Sequence, residues 1–292
     1  MESGDLRVFQ AVAAQGSITK AAEQLNYVQS NVTNRIKQLE KQLNTTLFYR
    51  TNRGMKLTVA GERLLDYADR ILNLLEEADK STQFSDKPAG PLRLGSLETT
   101  AATHLPNLLS TYHKKYPEVK ISLKAGHTSD LLQKVLHYEV DGAFVSGPID
   151  HPEIKQLTAF EEELVLISEP CDMALKALLQ KPILAFSMGC SNRERLNRWL
   201  RDEGVPTSNY MEFGTLEAII GGVSAGLGIS LLAKSSIENR AKAGEIQTHA
   251  VPDPYRHSTV LFIYRRDAYL TNAFLKFIDL INKEPIKLSQ VH

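Results

Sequence analysis

The chain is poor in the features that mark secreted scaffolds, membrane proteins and enzymes. Its two cysteines, Cys171 and Cys190, are too few and too isolated for a disulfide framework or for paired metal-ligand spacing. No apolar run approaches the roughly 20 residues of a membrane span, and no signal peptide is visible at the amino terminus, so a cytoplasmic protein without a membrane partner is expected. The eight histidines form no His-x-x-x-His pair, and no Gly-x-Ser-x-Gly nucleophile elbow occurs. The glycine-rich run from Gly221 to Gly228 lacks the Gly-Lys-Ser/Thr ending of a P-loop and the strand-first context of a dinucleotide fingerprint; it reads as a tight helix-to-strand turn. No enzyme, cofactor or metal is therefore expected. Net charge is absent too, with 34 basic against 34 acidic residues. The balance is uneven along the chain, because residues 1–60 hold eight Lys/Arg against four Asp/Glu. A local basic patch suits a DNA partner.

That basic region carries helical periodicity. Leu6, Phe9 and Val12 recur at helical spacing, Ala21, Ala22 and Leu25 mark a second short helix, and Val32, Ile36, Leu39 and Leu43 a third. Ser17 or Thr19 can cap the second helix, and the tight Asn26-Tyr27 connection leads into the third at the spacing of a helix-turn-helix. On the third helix Ser30, Asn34, Lys37 and Lys41 project roughly 160 to 200° from the apolar stripe at about 100° per residue. Amides and hydroxyls suit base edges, and cations suit phosphates. The expected DNA contacts are Gln29, Ser30, Asn31, Thr33, Asn34, Arg35 and Lys37, with Gln29 foremost at a base. Leu47 to Arg50 and Met55 to Leu57 flank a hairpin-like turn, Thr51-Asn52-Arg53-Gly54, which places Arg50 and Arg53 on a wing suited to backbone or minor-groove contact. An ordinary solvated helix face would show a similar composition, and it is the wing that favours DNA.

From Thr58 to about Phe84 the pattern is one long helix. Leu57, Leu64, Ala68, Ile71, Leu75 and Ala78 recur at three- and four-residue steps, widened by Leu65 and Leu72. Ser81 to Pro91 reads as a hinge. Beyond it, apolar runs alternate with helical patterns. Strands are predicted over 92–97, 119–125, 142–146, 164–168, 182–186, 210–213, 228–232 and 258–264, a doubly wound α/β pattern.

The ordered set Ala21-Ala22, Leu25, Gln29, Val32, Ile36, Leu39-Glu40, Leu43, Leu47-Phe48, Arg50, Arg53, Leu57-Thr58 and Gly61 closely resembles the amino-terminal domain of LysR-type transcriptional regulators. The run from Tyr27 to Thr33 looks most like a Bacillus-type subgroup of that family. Ser30-Asn31, Thr33 and Asn44 stand where proline, serine and glycine are frequent in the family, which bears on the operator and not on the fold. The resemblance implies three parts: an all-α winged helix-turn-helix DNA-binding domain over 1–58, a linker and dimerisation helix over 59–87, and a two-lobed α/β effector domain, periplasmic-binding-protein-like, over 88–292. Within the last, lobe I is expected over about 88–160 and 267–292, and lobe II over about 161–266. It further implies pairing of two linker helices into a homodimer or tetramer, a double-stranded DNA operator, a small-molecule effector, and RNA polymerase as a further partner. A solute-binding protein of the same fold without regulatory DNA activity is the alternative.

In open α/β lobes ligands lie beyond the carboxyl ends of strands. Polar groups at such places make Ser96, Glu98, Thr99, Thr100, Thr128, Ser146, Cys190 and Phe213 the candidate effector contacts, and the resemblance singles out the Ser96 and Thr128 neighbourhoods. Helix caps would use the same Ser and Thr residues. Glu98 leaves the effector's charge open, since a carboxylate beside helix amino-termini either uses their potential itself or recruits an amine or cation.

Overall fold

The computed structural model describes residues 1–51, 54–82, 87–186, 191–206 and 209–283, in two compact units, the first made of residues up to 84 with His137–Glu139 and the second of the rest. No described helix is long and apolar enough to cross a membrane.

The first unit opens with α1 (Ser3–Gln15), α2 (Ile18–Leu25) and α3 (Gln29–Leu43). Each ends at a residue in the left-handed region: Gly16, Asn26 and Asn44. Ser17 caps α2 by accepting from the Lys20 amide, as its hydroxyl predicts. The apolar stripe of α3 is buried at Val32, Ile36 and Leu39 against Phe9, Val12 and Ala21, each contributing roughly 1.5–3 kcal/mol. The wing follows as β1 (Phe48–Thr51) and β2 (Gly54–Leu57), antiparallel in the register Phe48 to Leu57. Gly54 is required there, with φ of 120° and the Gly16 carbonyl 2.4 Å from where a Cβ would stand. The first strand is tied to α3 through Glu40, whose Oε1 accepts from the amides of Leu47 (2.8 Å) and Phe48 (3.3 Å). Glu40→Ala is therefore expected to lower the unfolding free energy of this unit by about 1–3 kcal/mol, since two amides lose a charged acceptor. A urea midpoint unchanged from wild type would show that water replaces the carboxylate at no cost.

The long helix α4 (Val59–Thr82) is capped by Thr58, whose hydroxyl accepts from the Gly61 amide. Its predicted stripe is divided between two directions. Ala68 and Leu72 are buried in the first unit's core, with Leu64 and Leu65 packed against it. Tyr67, Ile71, Leu74 and Leu75 are exposed. Leu64 thus belongs to the chain's own core, because the helix must turn one face to α1 before it can offer another outward.

The second unit runs β3 (Gly90–Ser96), α5 (Glu98–Thr103), α6 (Leu105–Lys115), β4 (Val119–Ala125), α7 (Thr128–Leu136), β5 (Gly142–Ser146) and β6 (Ile154–Ser168). Then come α8 (Leu175–Leu178), β7 (Ile183–Ala185), α9 (Ser191–Asp202), β8 (Tyr210–Glu212), α10 (Leu216–Ser224), β9 (Ser230–Ala233) and α11 (Lys234–Lys242). The unit closes with β10 (Gln247–His249), α12 (Asp253–Arg256), β11 (His257–Arg265) and α13 (Asn272–Lys283). In lobe I, β4, β3 and β5 are parallel, β11 lies antiparallel to β5, and β6 antiparallel to β11. Beyond its crossing with β11, β6 continues into lobe II, pairing β9 and β10.

The sheet is thus mixed, and the doubly wound reading holds only for its parallel strands. The return to lobe I runs along β11 itself, which is hydrogen-bonded to β5 from Val260 to Ile263, and not after Arg266. The first half of β6 escaped the strand prediction because Lys155, Gln156 and Thr158 make an exposed run there. Lobe I is filled by aromatic rings, with Phe144, Phe160, Phe262 and Phe277 at 4.8–6.2 Å between centroids, and α13 closes over them through Phe274, Phe277 and Ile281. In lobe II, Trp199, Leu196 and Leu200 of α9 are buried with Leu164 and Leu231.

Candidate DNA-reading face and ligand cleft

On α3 the residues opposite the buried stripe, Ser30, Asn34, Lys37 and Lys41, are exposed, as are Gln29 and Asn31 nearer its edges. Three of the predicted contacts, Thr33, Arg35 and Asn31, have polar groups engaged within the domain. The Thr33 hydroxyl donates to the Gln29 carbonyl one turn earlier, at 2.9 Å. The Arg35 guanidinium pairs with Asp5 of α1 at 2.9 Å and donates through Nε to Asn31 Oδ1 at 3.3 Å, which turns it toward the α1–α3 junction. Arg50 is exposed on β1, and Arg53 lies outside the described residues. Composition did not single out Val28, which occupies the N-cap position of α3 without a side-chain cap and is 69% exposed. An exposed valine beside Gln29 is suited to a thymine methyl.

The ligand cleft lies at the carboxyl ends of parallel strands, as strand topology requires. It is a cavity of about 450 Å³ with walls from both lobes. Lobe I contributes Leu97, Glu98 and Thr99 after β3, the Ala125–Thr128 turn after β4, and Ser146 at the end of β5. Lobe II contributes Phe186, the first residues of α9, and the Glu212–Gly214 turn before α10. Between them stand residues of the two crossing strands, Glu162 of β6 with Ser258 and Val260 of β11.

Six of the predicted effector contacts fall at or beside this cleft in different ways. Glu98, Thr99, Thr128, Ser146 and Phe213 line it. Ser96 is fully buried behind the wall and donates to the Leu97 carbonyl at 2.9 Å. Thr100 is also fully buried and does not line the cavity, because α5 begins at Glu98 and turns it toward the core. Cys190 lies outside the described residues.

Each carboxylate of the cleft has one partner among the described residues. Glu98 Oε1 accepts from the Leu216 amide at the start of α10, at 3.0 Å, and so joins lobe I to lobe II. Glu162 meets His104 Nε2 through Oε1 at 2.9 Å, and the His104 ring stacks on Phe160 at 4.4 Å. Glu212 pairs with Arg193, which lies over the Tyr210 ring. The Thr128 hydroxyl accepts from the Ser146 amide at 3.2 Å, while the Ser146 hydroxyl is buried with no partner among the described residues. Glu162 and Glu212 are carboxylates of the cleft that sequence reasoning missed; the one signal for Glu162 was a run of three acids, Glu161 to Glu163, heading an apolar strand.

Residues 3–62 match the family of bacterial regulatory helix-turn-helix proteins of the lysR family, and residues 85–285 match the LysR substrate binding domain. The HTH-type transcriptional regulator YofA of Bacillus velezensis is 53% identical over 285 residues, covering 98% of this chain and 99% of that protein. The HTH-type transcriptional regulator CzcR of Bacillus thuringiensis is 44% identical over 98% of its own length and 97% of this chain. Full-length CbnR, solved in complex with its target DNA, shares the fold at a TM-score of 0.71 and 21% identity, covering 97% of this chain and 99% of that one. The Bacillus-type resemblance of the Tyr27–Thr33 run extends, in these relatives, along almost the entire chain. The chain belongs to the LysR family of helix-turn-helix transcriptional regulators.

Proposed function

We propose that the protein binds operator DNA as an oligomer through α3 and the wing, and that a small molecule held between the two lobes controls it. The observation that carries this reading is the Glu98 to Leu216 hydrogen bond. A ligand in the cleft competes for or adds to a contact between the lobes, and so has different interaction energies with open and closed arrangements, which is the condition for shifting an equilibrium. Closure then alters how paired protomers space their helix-turn-helix units, changing DNA bend and the access of RNA polymerase. Gln29, Asn34 and Val28 read bases, while Lys37 and Arg50 neutralise phosphates. CbnR's solution with its target DNA supports the DNA side of the proposal. A solute receptor of the same fold is disfavoured by the amino-terminal unit, whose α3 presents an amide and ammonium face that a receptor has no use for.

The test is a reporter assay in the native host. Ser96 is unsuited to a blocking substitution, because a side chain with no exposure cannot be enlarged without disturbing lobe I. Thr99 and Thr128 line the cleft and are partly exposed. Thr99→Trp and Thr128→Trp are expected to abolish the response to inducing conditions while operator affinity in a gel shift stays within about threefold of wild type, below 1 kcal/mol. A wild-type response from both variants would remove the cleft from effector binding.

A further inference from the structure

Taking the cleft as the effector site, we propose that its ligand is a small molecule bearing a protonated amine, which Glu98 and Glu162 bind with help from Ser146.

The charge in the cavity wall points this way. The ionisable side chains among its described lining residues are Glu98, Glu162, Glu212 and His127, with no lysine or arginine. An anionic ligand would face three carboxylates with no opposing cationic side chain from the lining. Of the helix amino-termini at the cavity, that of α10 is already in use: Glu98 takes the Leu216 amide and Thr215 Oγ1 takes the Ala218 amide. Arg193 lies outside the lining and is committed to Glu212.

The acids have capacity left. Among the described residues, Glu98 and Glu162 each receive one hydrogen bond, on Oε1, which leaves Oε2 of each to a donor. The independent sign of a ligand is Ser146. Its residue is 6% exposed, it lines the cavity, and its Oγ has no hydrogen-bond partner among the described residues. A buried hydroxyl without a partner is costly, and an ammonium donor or a neighbouring acceptor on the ligand satisfies it. A metal ion is a poorer answer to the same charge, because no group of three His, Cys, Asp or Glu among the described residues is placed to hold one. The location of Glu98 gives the amine a mechanical effect. An ammonium group drawing on this carboxylate competes with the Leu216 amide, so binding charge and altering the contact between lobes are one event.

The experiment uses the full chain and three four-carbon probes that differ in terminal charge: putrescine, 4-aminobutyrate and succinate, at matched ionic strength and millimolar concentrations. Thermal unfolding is expected to shift upward, with saturation, for at least one of the two amines and not for succinate. Glu162→Gln and Glu98→Gln should weaken the amine response at least tenfold; glutamine at 98 keeps an acceptor for the Leu216 amide, so loss of charge is separated from loss of the lobe contact. Succinate stabilising as strongly as the amines, amines giving no shift, or either response surviving in both glutamine variants would overturn the proposal. The Thr99→Trp reporter separates the two levels. If the amines fail and Thr99→Trp or Thr128→Trp still abolishes induction, the amine assignment falls and the cleft stands; if both variants respond normally, the effector reading falls and takes this proposal with it.

Discussion

Replacing Ile71 and Leu74 by glutamate is expected to leave the protein monomeric and to lower affinity for a two-half-site operator by roughly 10²–10⁴-fold, the factor that linkage of two binding modules supplies. The two positions are 36% and 46% exposed on α4, and with Tyr67 at 61% and Leu75 at 41% they form an apolar stripe that the described chain leaves uncovered. A long helix with such a stripe is stabilised by a partner, and two copies of the same stripe are self-complementary. Each protomer would retain its own reading helix, so binding to a single half-site should survive. Leu64→Glu is expected to behave differently, because Leu64 packs on the core of its own unit, and the variant should lose folding stability before it loses assembly. Light scattering decides the matter. An Ile71→Glu, Leu74→Glu protein that remains oligomeric would place the contact elsewhere.

Gln29→Ala and Asn34→Ala are expected to cost about 1–3 kcal/mol each per half-site and to relax base preference at separate positions, as loss of an amide from a groove contact does. Lys37→Ala should instead weaken binding to all sequences and reduce the slope of log affinity against log salt by about 0.9 for the lost phosphate contact. Thr33→Val should do little at the operator, because the Thr33 hydroxyl is already bonded to the Gln29 carbonyl. Operator selection with each variant reads these outcomes. Unaltered preference for both Gln29→Ala and Asn34→Ala would mean that another face of α3 enters the groove.

The parts of the fold legible in the sequence are those set by local rules. The α3 stripe, the Ser17 cap and the glycine that turns the wing each follow from spacing or from a single residue's chemistry. What escaped depends on partners far along the chain. Glu162 acquires its place through His104, 58 residues away, and nothing near either residue signals the pair. The sequence does not tell Ser96, behind the cleft wall, from a lining residue, because Leu94, Gly95 and Ser96 of β3 are all buried and alternation says which side faces a cleft only where one face of a strand is wet. The divided stripe of α4 shows the same limit. Periodicity locates an apolar face and does not say whose surface covers it.

The adjacency of β6 and β11 has a consequence for the order of folding. Glu163 and His257 are partners in one antiparallel ladder, so the whole of lobe II leaves and re-enters lobe I at neighbouring rungs. From an unfolded chain, bringing those two rungs together means closing a loop of about ninety residues, at an entropic cost on the order of 4 kcal/mol. Once lobe II has collapsed on its own core, its two ends already stand side by side and that search is over. Lobe I, although it begins earlier in the chain, is therefore expected to complete its sheet last, since β11 can pair with β5 only once the inserted lobe has brought it back.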